Sequence, residues 1–275
     1  MYLVELGQGV FALIDEHPGY GNSNVGLVID SDGLTVIDTT ATPERGQLAR
    51  REILALTEEL GLRLKRVVLT SSRVPFTGGS TAFWQAAFYG SESTSDQLDA
   101  PVNPLALQRL LPHLAATYDD EFATRPITHT VAEPAWLTSA AYGVPLAGEA
   151  PANLMVQLPN TGVVFAGALA SFGTTPLAFD GDPRAWAASL RQIAELGGTV
   201  VPGHGPPGGA ADLGDLISYL DACVDADGNP SAIPGGPWDQ WTDRRFDAVN
   251  VERAARLARG DDQTPHAMFE LLGFA

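Results

Sequence analysis

The chain has 275 residues, 45% of them hydrophobic, with 33 acidic against 16 basic side chains and a formal charge of −17. That length and apolar content allow one large domain or two small ones, each with a full core. The acidity opposes nucleic acid as a partner, because phosphates need basic patches, and it opposes an anionic membrane surface; its first reading is solubility. The single cysteine, Cys223, excludes an internal disulfide and a Cys-rich zinc site, and its apolar helical surroundings predict a buried structural thiol. Met1 to Leu6 shows no basic region ahead of a long apolar segment, so no signal peptide is expected, and no apolar run approaches a membrane span. A cytoplasmic protein is the expectation.

The first quarter reads as strands at Val10–Ile14, Val25–Ile29 and Leu34–Asp38, with a turn at Asp30 to Gly33 and a polar loop from His17 to Asn22. A helix follows, with Thr42 as N-cap, Pro43 at its first position and Gly61 at its end. The spacing of Leu48, Ile53, Leu56 and Leu60 predicts that these four face the core. Arg66 to Thr70 reads as a central strand, apolar on both faces. Thr81 to Phe88 reads as a helix opened by two glycines, and Tyr89 to Ser91 as a short strand. Pro104 to Tyr118 reads as a helix carrying His113. Ile127 to Val131 reads as a strand carrying His129.

Leu154–Leu158 and Val163–Gly167 form a predicted hairpin. Asp182 and Pro183 open a helix that Gly197 closes, and Thr199 to Val201 is the last strand. From Asp212 onward the chain reads as helical, apart from a Gly/Pro-rich loop at Asp227 to Trp238. Leu216, Tyr219 and Leu220, then Phe269 and Leu272, mark helical faces expected to pack inward. The order of elements suits two sheets packed face to face with helices outside.

The stretch Thr70-Ser71-Ser72-Arg73-Val74-Pro75-Phe76-Thr77-Gly78-Gly79 resembles the signature of the metallo-β-lactamase superfamily, which usually reads T-H-x-H-x-D-H-x-G-G. Val163-Val164-Phe165-Ala166-Gly167 and Pro202-Gly203-His204-Gly205 resemble two further elements of that family. The resemblance covers about Val10 to Gly205. It implies a four-layer αββα sandwich, an α/β fold, over residues 1–206, with a helical extension at 207–275 packed on it.

The same resemblance implies a degenerate metal site. Ser71, Arg73, Pro75 and Phe76 stand where three histidines and an aspartate would be. Glu149 takes the place of the next histidine, and Ala168 that of the bridging aspartate. His204 alone is a family ligand. Zinc sites need three or four protein ligands, so neither metal nor other cofactor is expected. Asp38 matches a family aspartate that supports the ligand loop.

Several functions fit these residues. The leading one is a metal-independent enzyme, a lyase, cyclase or isomerase acting on a small organic molecule of the kind handled in specialised metabolism. In it His204 and Glu149 form an acid/base pair, Arg73 holds a carboxylate or oxyanion, and Phe76 gives an apolar wall. Ser72, Tyr20 and His17 are further substrate-side candidates. A hydrolase with Ser71 activated by His204 is a weaker form, since no G-x-S-x-G elbow is present. A non-catalytic ligand- or partner-binding homologue is the alternative from another class, with Trp238 and Trp241 offering contacts for a homo-oligomer. The plain alternative is decay, with Arg73 and Glu149 left as a space-filling ion pair. His113, His129 and His266 read as structural.

Overall fold

The computed structural model describes residues 1–275. Its elements run β1 (Tyr2–Gly7), β2 (Val10–Ile14), β3 (Val25–Asp30), β4 (Gly33–Ile37), α1 (Pro43–Thr57), β5 (Leu64–Val68), α2 (Val74–Thr77), β6 (Ala87–Ser91), α3 (Glu92–Leu98) and α4 (Pro104–Leu110). They continue with β7 (His129–Val131), β8 (Ala135–Trp136), β9 (Tyr142–Leu146), β10 (Asn153–Leu158), β11 (Val163–Ser171), α5 (Pro183–Leu196), β12 (Thr199–His204), α6 (Ala210–Asp225), α7 (Asp247–Ala258) and α8 (His266–Leu271). The first seven strands form one sheet in chain order, and the other five form a second in the order β12-β11-β10-β9-β8. In the first sheet the strands are antiparallel up to β4 and parallel from β4 to β7.

Alternating side chains of the strands divide the core into layers. Val10, Ile14, Val28 and Val68 of the first sheet meet Leu154, Val156, Phe165 and Val201 of the second. The other face of the first sheet packs on α1 through Ala49 and Ile53. The other face of the second packs on α5 and α6, and Trp238 and Val251 from the chain's last third join that cluster. This is the expected αββα order. No helix is long and apolar enough to cross a membrane.

Several local expectations are corrected. Thr81 to Phe88 is not a helix: a 3-10 turn at Ser80–Phe83 leads into β6, and the helical turn precedes the two glycines, as α2. The segment Pro104 to Tyr118 is broken after Leu110, where Pro112 cannot supply the N–H that would continue α4, and it ends in a 3-10 turn. β1, α3, β8 and β9 escape pattern reading, because they are short or lie where apolar spacing is weak. Helix α1 starts at Pro43 behind the Thr42 cap as expected, and Gly61 closes the 3-10 turn after it in the left-handed region. Its buried face, however, is Gly46, Ala49, Ile53 and Thr57, while Leu48, Leu56 and Leu60 are exposed. A stripe of mostly small residues lets the helix approach the sheet more closely than leucines would allow.

That approach explains two glycines of the signature. Side chains at Gly78 and Gly79 would collide with the backbone carbonyls of Ala41 and Thr39, and one at Gly46 would strike the backbone of Gly79. Cys223, Leu216, Tyr219 and Leu220 are buried as expected; Leu272 is buried too, but Phe269 is exposed. Gly214 in α6 faces open space, with nothing within 4 Å of an added β-carbon. In an unobstructed helix, Gly→Ala stabilises by about 0.5–1 kcal/mol. Gly214→Ala should show that gain in urea denaturation, whereas Gly46→Ala should lose about 1–3 kcal/mol through overpacking. A G46A protein as stable as the wild type would contradict the contact.

Candidate functional site

The loop after β5 is fixed from three sides. Asp38, just past β4, accepts hydrogen bonds from the backbone N–H and the hydroxyl of Thr70, each 2.8 Å long. The Thr70 hydroxyl accepts from the Ala168 N–H at 3.0 Å, and the Thr70 carbonyl accepts from Leu154 N–H at 2.9 Å and Asn153 Nδ2 at 3.2 Å. One residue thus ties the first sheet to β10 and β11 of the second. Asp38 supports the loop, as the resemblance implied. Burial pushes its pKa up to about 7, against the pull of the two Thr70 bonds.

Beyond Thr70, Ser71 is fully buried and donates a 2.5 Å hydrogen bond to Glu149 Oε1. The Ser71 Oγ in turn accepts from the Arg73 backbone N–H at 3.2 Å. Burial raises the Glu149 pKa to about 8, outweighing the lowering by Arg73 and by the Ser71 bond. At neutral pH Glu149 is therefore mostly a neutral carboxylic acid.

Arg73 does not pair with Glu149. Its Nη2 forms an ion pair with Asp180, and its guanidinium carbon lies 4.0 Å from the centre of the Phe179 ring. Burial alone would lower its pKa, but Asp180, Glu149 and Tyr20 hold it above the usual value. Asp180 also accepts from Gln97 Nε2 at 3.0 Å, and Gln97 Oε1 accepts from the Ser72 hydroxyl. Ser72, Arg73, Gln97 and Asp180 form one connected polar chain.

His204, at the end of β12, is buried, and its Nδ1 lies 2.8 Å from the Asn22 carbonyl. A carbonyl only accepts, so Nδ1 carries the proton, and Nε2 is an unprotonated acceptor that is sealed without a partner. The Tyr20 ring stands 5.4 Å from the imidazole and the Phe76 ring 5.2 Å, centre to centre. Burial lowers the His204 pKa to about 4, so the ring is neutral. No hydrogen bond joins His204 to Glu149, Ser71 or Arg73. Tyr20, Phe76 and the Asn22 carbonyl occupy its surroundings.

A cavity of about 340 Å³ opens over this region. Tyr20, Ser72, Arg73 and Gln97 are among its polar lining, and Leu107, Phe179 and Met268 among its apolar walls. The structure thus sorts the candidate residues. Tyr20, Ser72 and Arg73 reach the cavity. Ser71, Glu149 and His204 lie beneath it and do not line it, so the acid/base pair expected from sequence is not assembled. Phe76 is no cavity wall: it is fully buried against His204. His17 is exposed, with its Nδ1 3.6 Å from Asp15, and is not at the cavity. Asp180, Gln97 and Phe179 were missed. Only the acidic turn Asp180-Gly181-Asp182 before a helix could have drawn notice to the first.

The residues present do not fit a zinc pair. No group of three or more His, Cys, Asp or Glu side chains is placed to hold a metal ion. Where family ligands would converge, Arg73 brings a fixed positive charge and Phe76 an aromatic ring against the one remaining histidine. Untagged protein should therefore purify with well under one zinc, iron or manganese per chain by elemental analysis; one or two tightly held ions would overturn this.

The buried acids also set a pH dependence. Glu149 binds its proton more tightly folded, with a pKa of about 8 against 4.5, so its contribution to stability is present at low pH and is lost as pH rises between those values. His204, lowered from 6.5 to about 4, acts oppositely: stability is lost as pH falls through that window. Glu149→Gln keeps an oxygen for Ser71 and removes the alkaline loss. In urea denaturation at about pH 5 and about pH 8.5, E149Q should gain on the wild type by a few kcal/mol, at about 1.4 kcal/mol per unit of pKa shift. A constant difference would show that Glu149 does not titrate abnormally.

No family model and no curated protein matches the sequence. Solved structures do match. The mono-zinc form of the metallo-β-lactamase FIM-1 from Pseudomonas aeruginosa is 18% identical with a TM-score of 0.60, over 85% of this chain and 96% of that one. A metallo-β-lactamase from Erythrobacter litoralis is 20% identical with a TM-score of 0.58, over 80% of this chain and 95% of that one. The stereoselective inverting sec-alkylsulfatase Pisa1 from Pseudomonas sp. is 15% identical with a TM-score of 0.68, over 93% of this chain but 50% of that one. With two sheets stacked between helices and neighbours of this kind, the chain has the metallo-β-lactamase fold, carried here without the ligand set of a zinc pair.

Proposed function

We propose that this protein binds a small, largely apolar organic molecule in the cavity over Arg73, and that this cavity, not a metal pair, defines its function. The observation behind this reading is the cavity itself. Its volume of about 340 Å³ lies within the range of small-molecule sites, and its walls are mostly apolar, with Ser72, Arg73 and Gln97 among the polar ones. These three are positioned by a continuous hydrogen-bonded chain from Ser72 through Gln97 and Asp180 to Arg73. Zinc-assisted hydrolysis, to which the name of the mono-zinc neighbour points, would need a ligand set that these residues do not provide.

A metal-independent acid/base enzyme is the second reading, and one observation favours it. Tyr20 lines the cavity, its hydroxyl makes no hydrogen bond to protein, and its ring lies against the imidazole whose Nε2 has no partner. Tyr20 is then the group that meets substrate, with Arg73 beside it as the fixed charge. Burial raises the Tyr20 pKa well above its usual value, so the phenol stays protonated and would act as a hydrogen-bond donor to an oxygen of the substrate. Ser71 as a nucleophile finds less support, because it is buried and bonded to a neutral acid rather than to His204.

Leu107→Trp should fill the cavity from α4 and test the first reading. In a thermal-shift screen of small organic molecules, ligands that stabilise the wild type should leave L107W unmoved while its fold, by circular dichroism, is retained. Equal shifts in both would place binding elsewhere. Once turnover of any ligand is found, Tyr20→Phe and Arg73→Ala should each lower it by about two orders of magnitude. Wild-type rates in both would remove the catalytic reading and leave the binding one.

A further inference from the structure

The charge inventory of the cavity points to the kind of molecule it takes. Among its lining residues only Tyr20 and Arg73 are ionisable; no Asp, Glu, His or Lys side chain reaches it. The one cation is already matched. Arg73 Nη2 is held by Asp180, which Gln97 fixes in place, and Arg73 Nε is sealed from solvent with no partner. A bidentate grip on a carboxylate needs two adjacent guanidinium nitrogens facing the same anion. Here Nε is sealed and Nη2 is held by Asp180, so of the nitrogens without a protein partner only Nη1 is not sealed from solvent.

An anion in the cavity would therefore meet a neutralised arginine and the Asp180 carboxylate behind it, inside a protein of net charge −17. It would also leave water for walls that are mostly apolar, at a desolvation cost that a phenol and an arginine already matched by Asp180 do not offset. A neutral oxygen acceptor meets better terms. Tyr20 and Arg73 Nη1 both present donors without protein partners, and one carbonyl oxygen, with two lone pairs, can accept from both. Leu107, Phe179 and Met268 then surround the remainder of the molecule.

We propose that the cavity selects uncharged molecules, an apolar body ending in a ketone, ester or lactone carbonyl, over the matching carboxylates. This rests on the reading of the cavity as a ligand site. The selectivity is set by Asp180, which spends the charge of Arg73 within the protein.

Methionine methyl NMR tests it, because the chain has only three methionines and Met268 lines the cavity while Met155 lies in the core behind the second sheet. The probes are 2-octanone and octanoate, titrated separately at about pH 7.5 into protein labelled at the methionine methyls, with Met268→Leu giving the assignment. Expected is a saturable shift of the Met268 signal by 2-octanone, Met155 unmoved, and at least tenfold weaker binding of octanoate (about 1.4 kcal/mol). Octanoate binding as tightly as 2-octanone would overturn the charge selection and leave the ligand site standing. No movement of Met268 with either probe would instead remove the ligand site, and the selection with it. Asp180→Asn frees the Arg73 charge and should raise octanoate affinity at least tenfold relative to 2-octanone. An unchanged ratio in folded D180N would overturn the role given to Asp180; if that variant does not fold, the wild-type pair of probes decides.

Discussion

The hydrogen bonds around Thr70 are the constraint on which the rest of this structure depends. The side chain, N–H and carbonyl of Thr70 are shared between Asp38 just past β4 and Asn153, Leu154 and Ala168 in the second sheet. These groups are buried, so each would be costly to leave unpaired. Their mutual satisfaction fixes how the sheets meet at this edge. It also fixes the start of the loop that carries Ser71, Ser72 and Arg73. Asp38 pays a conformational cost for its place, with φ at 61° in the left-handed region.

Around that anchor the site has been rebuilt with organic side chains. A pair of cations would gather carboxylates and imidazoles by coordination. Here the same edge is held by a neutral carboxylic acid on a serine, an arginine paired with an aspartate, and a histidine wedged between two aromatic rings. Burial sets the protonation state of two of these groups, Glu149 with a proton and His204 without a charge, while Arg73 keeps its charge against burial because Asp180 matches it. The result is a packed floor, and the open volume lies above it.

One part of the cavity wall comes from elements outside the resemblance to the fold family. Thr264, Met268, Phe269 and Leu272 contribute from the last segment of the chain. That segment is tied down by specific contacts. Arg253, buried in α7, donates to the carbonyls of Asp180, Gly181, Asp262 and Gln263, and Arg109 donates to those of Leu272 and Gly273. Arg253 thereby links the closing segment to the loop that bears Asp180, so the polar and apolar walls of the cavity are held by one framework.

The sequence by itself determined the layered fold, through strands of branched residues, caps at Thr42 and Asp182, the paired Gly78 and Gly79, and the Pro-Gly-His-Gly turn. It also determined that a zinc pair could not be assembled, because ligand chemistry is a property of residue type. It brought Ser71 and Glu149 into one account, although they lie far apart in the chain. Tertiary structure alone decided which residues face the ligand. Apolar spacing put Leu48, Leu56 and Leu60 inward, but contact with the Gly79 backbone turned the small-residue face of α1 to the sheet. Arg73 could have chosen Glu149 or Asp180. The fold puts Asp180 against its Nη2 and Ser71 against Glu149, placements that no local pattern encodes. His204 was legible as a residue and not as a role, since its isolation comes from Tyr20 and Phe76, brought against it only when the sheets close.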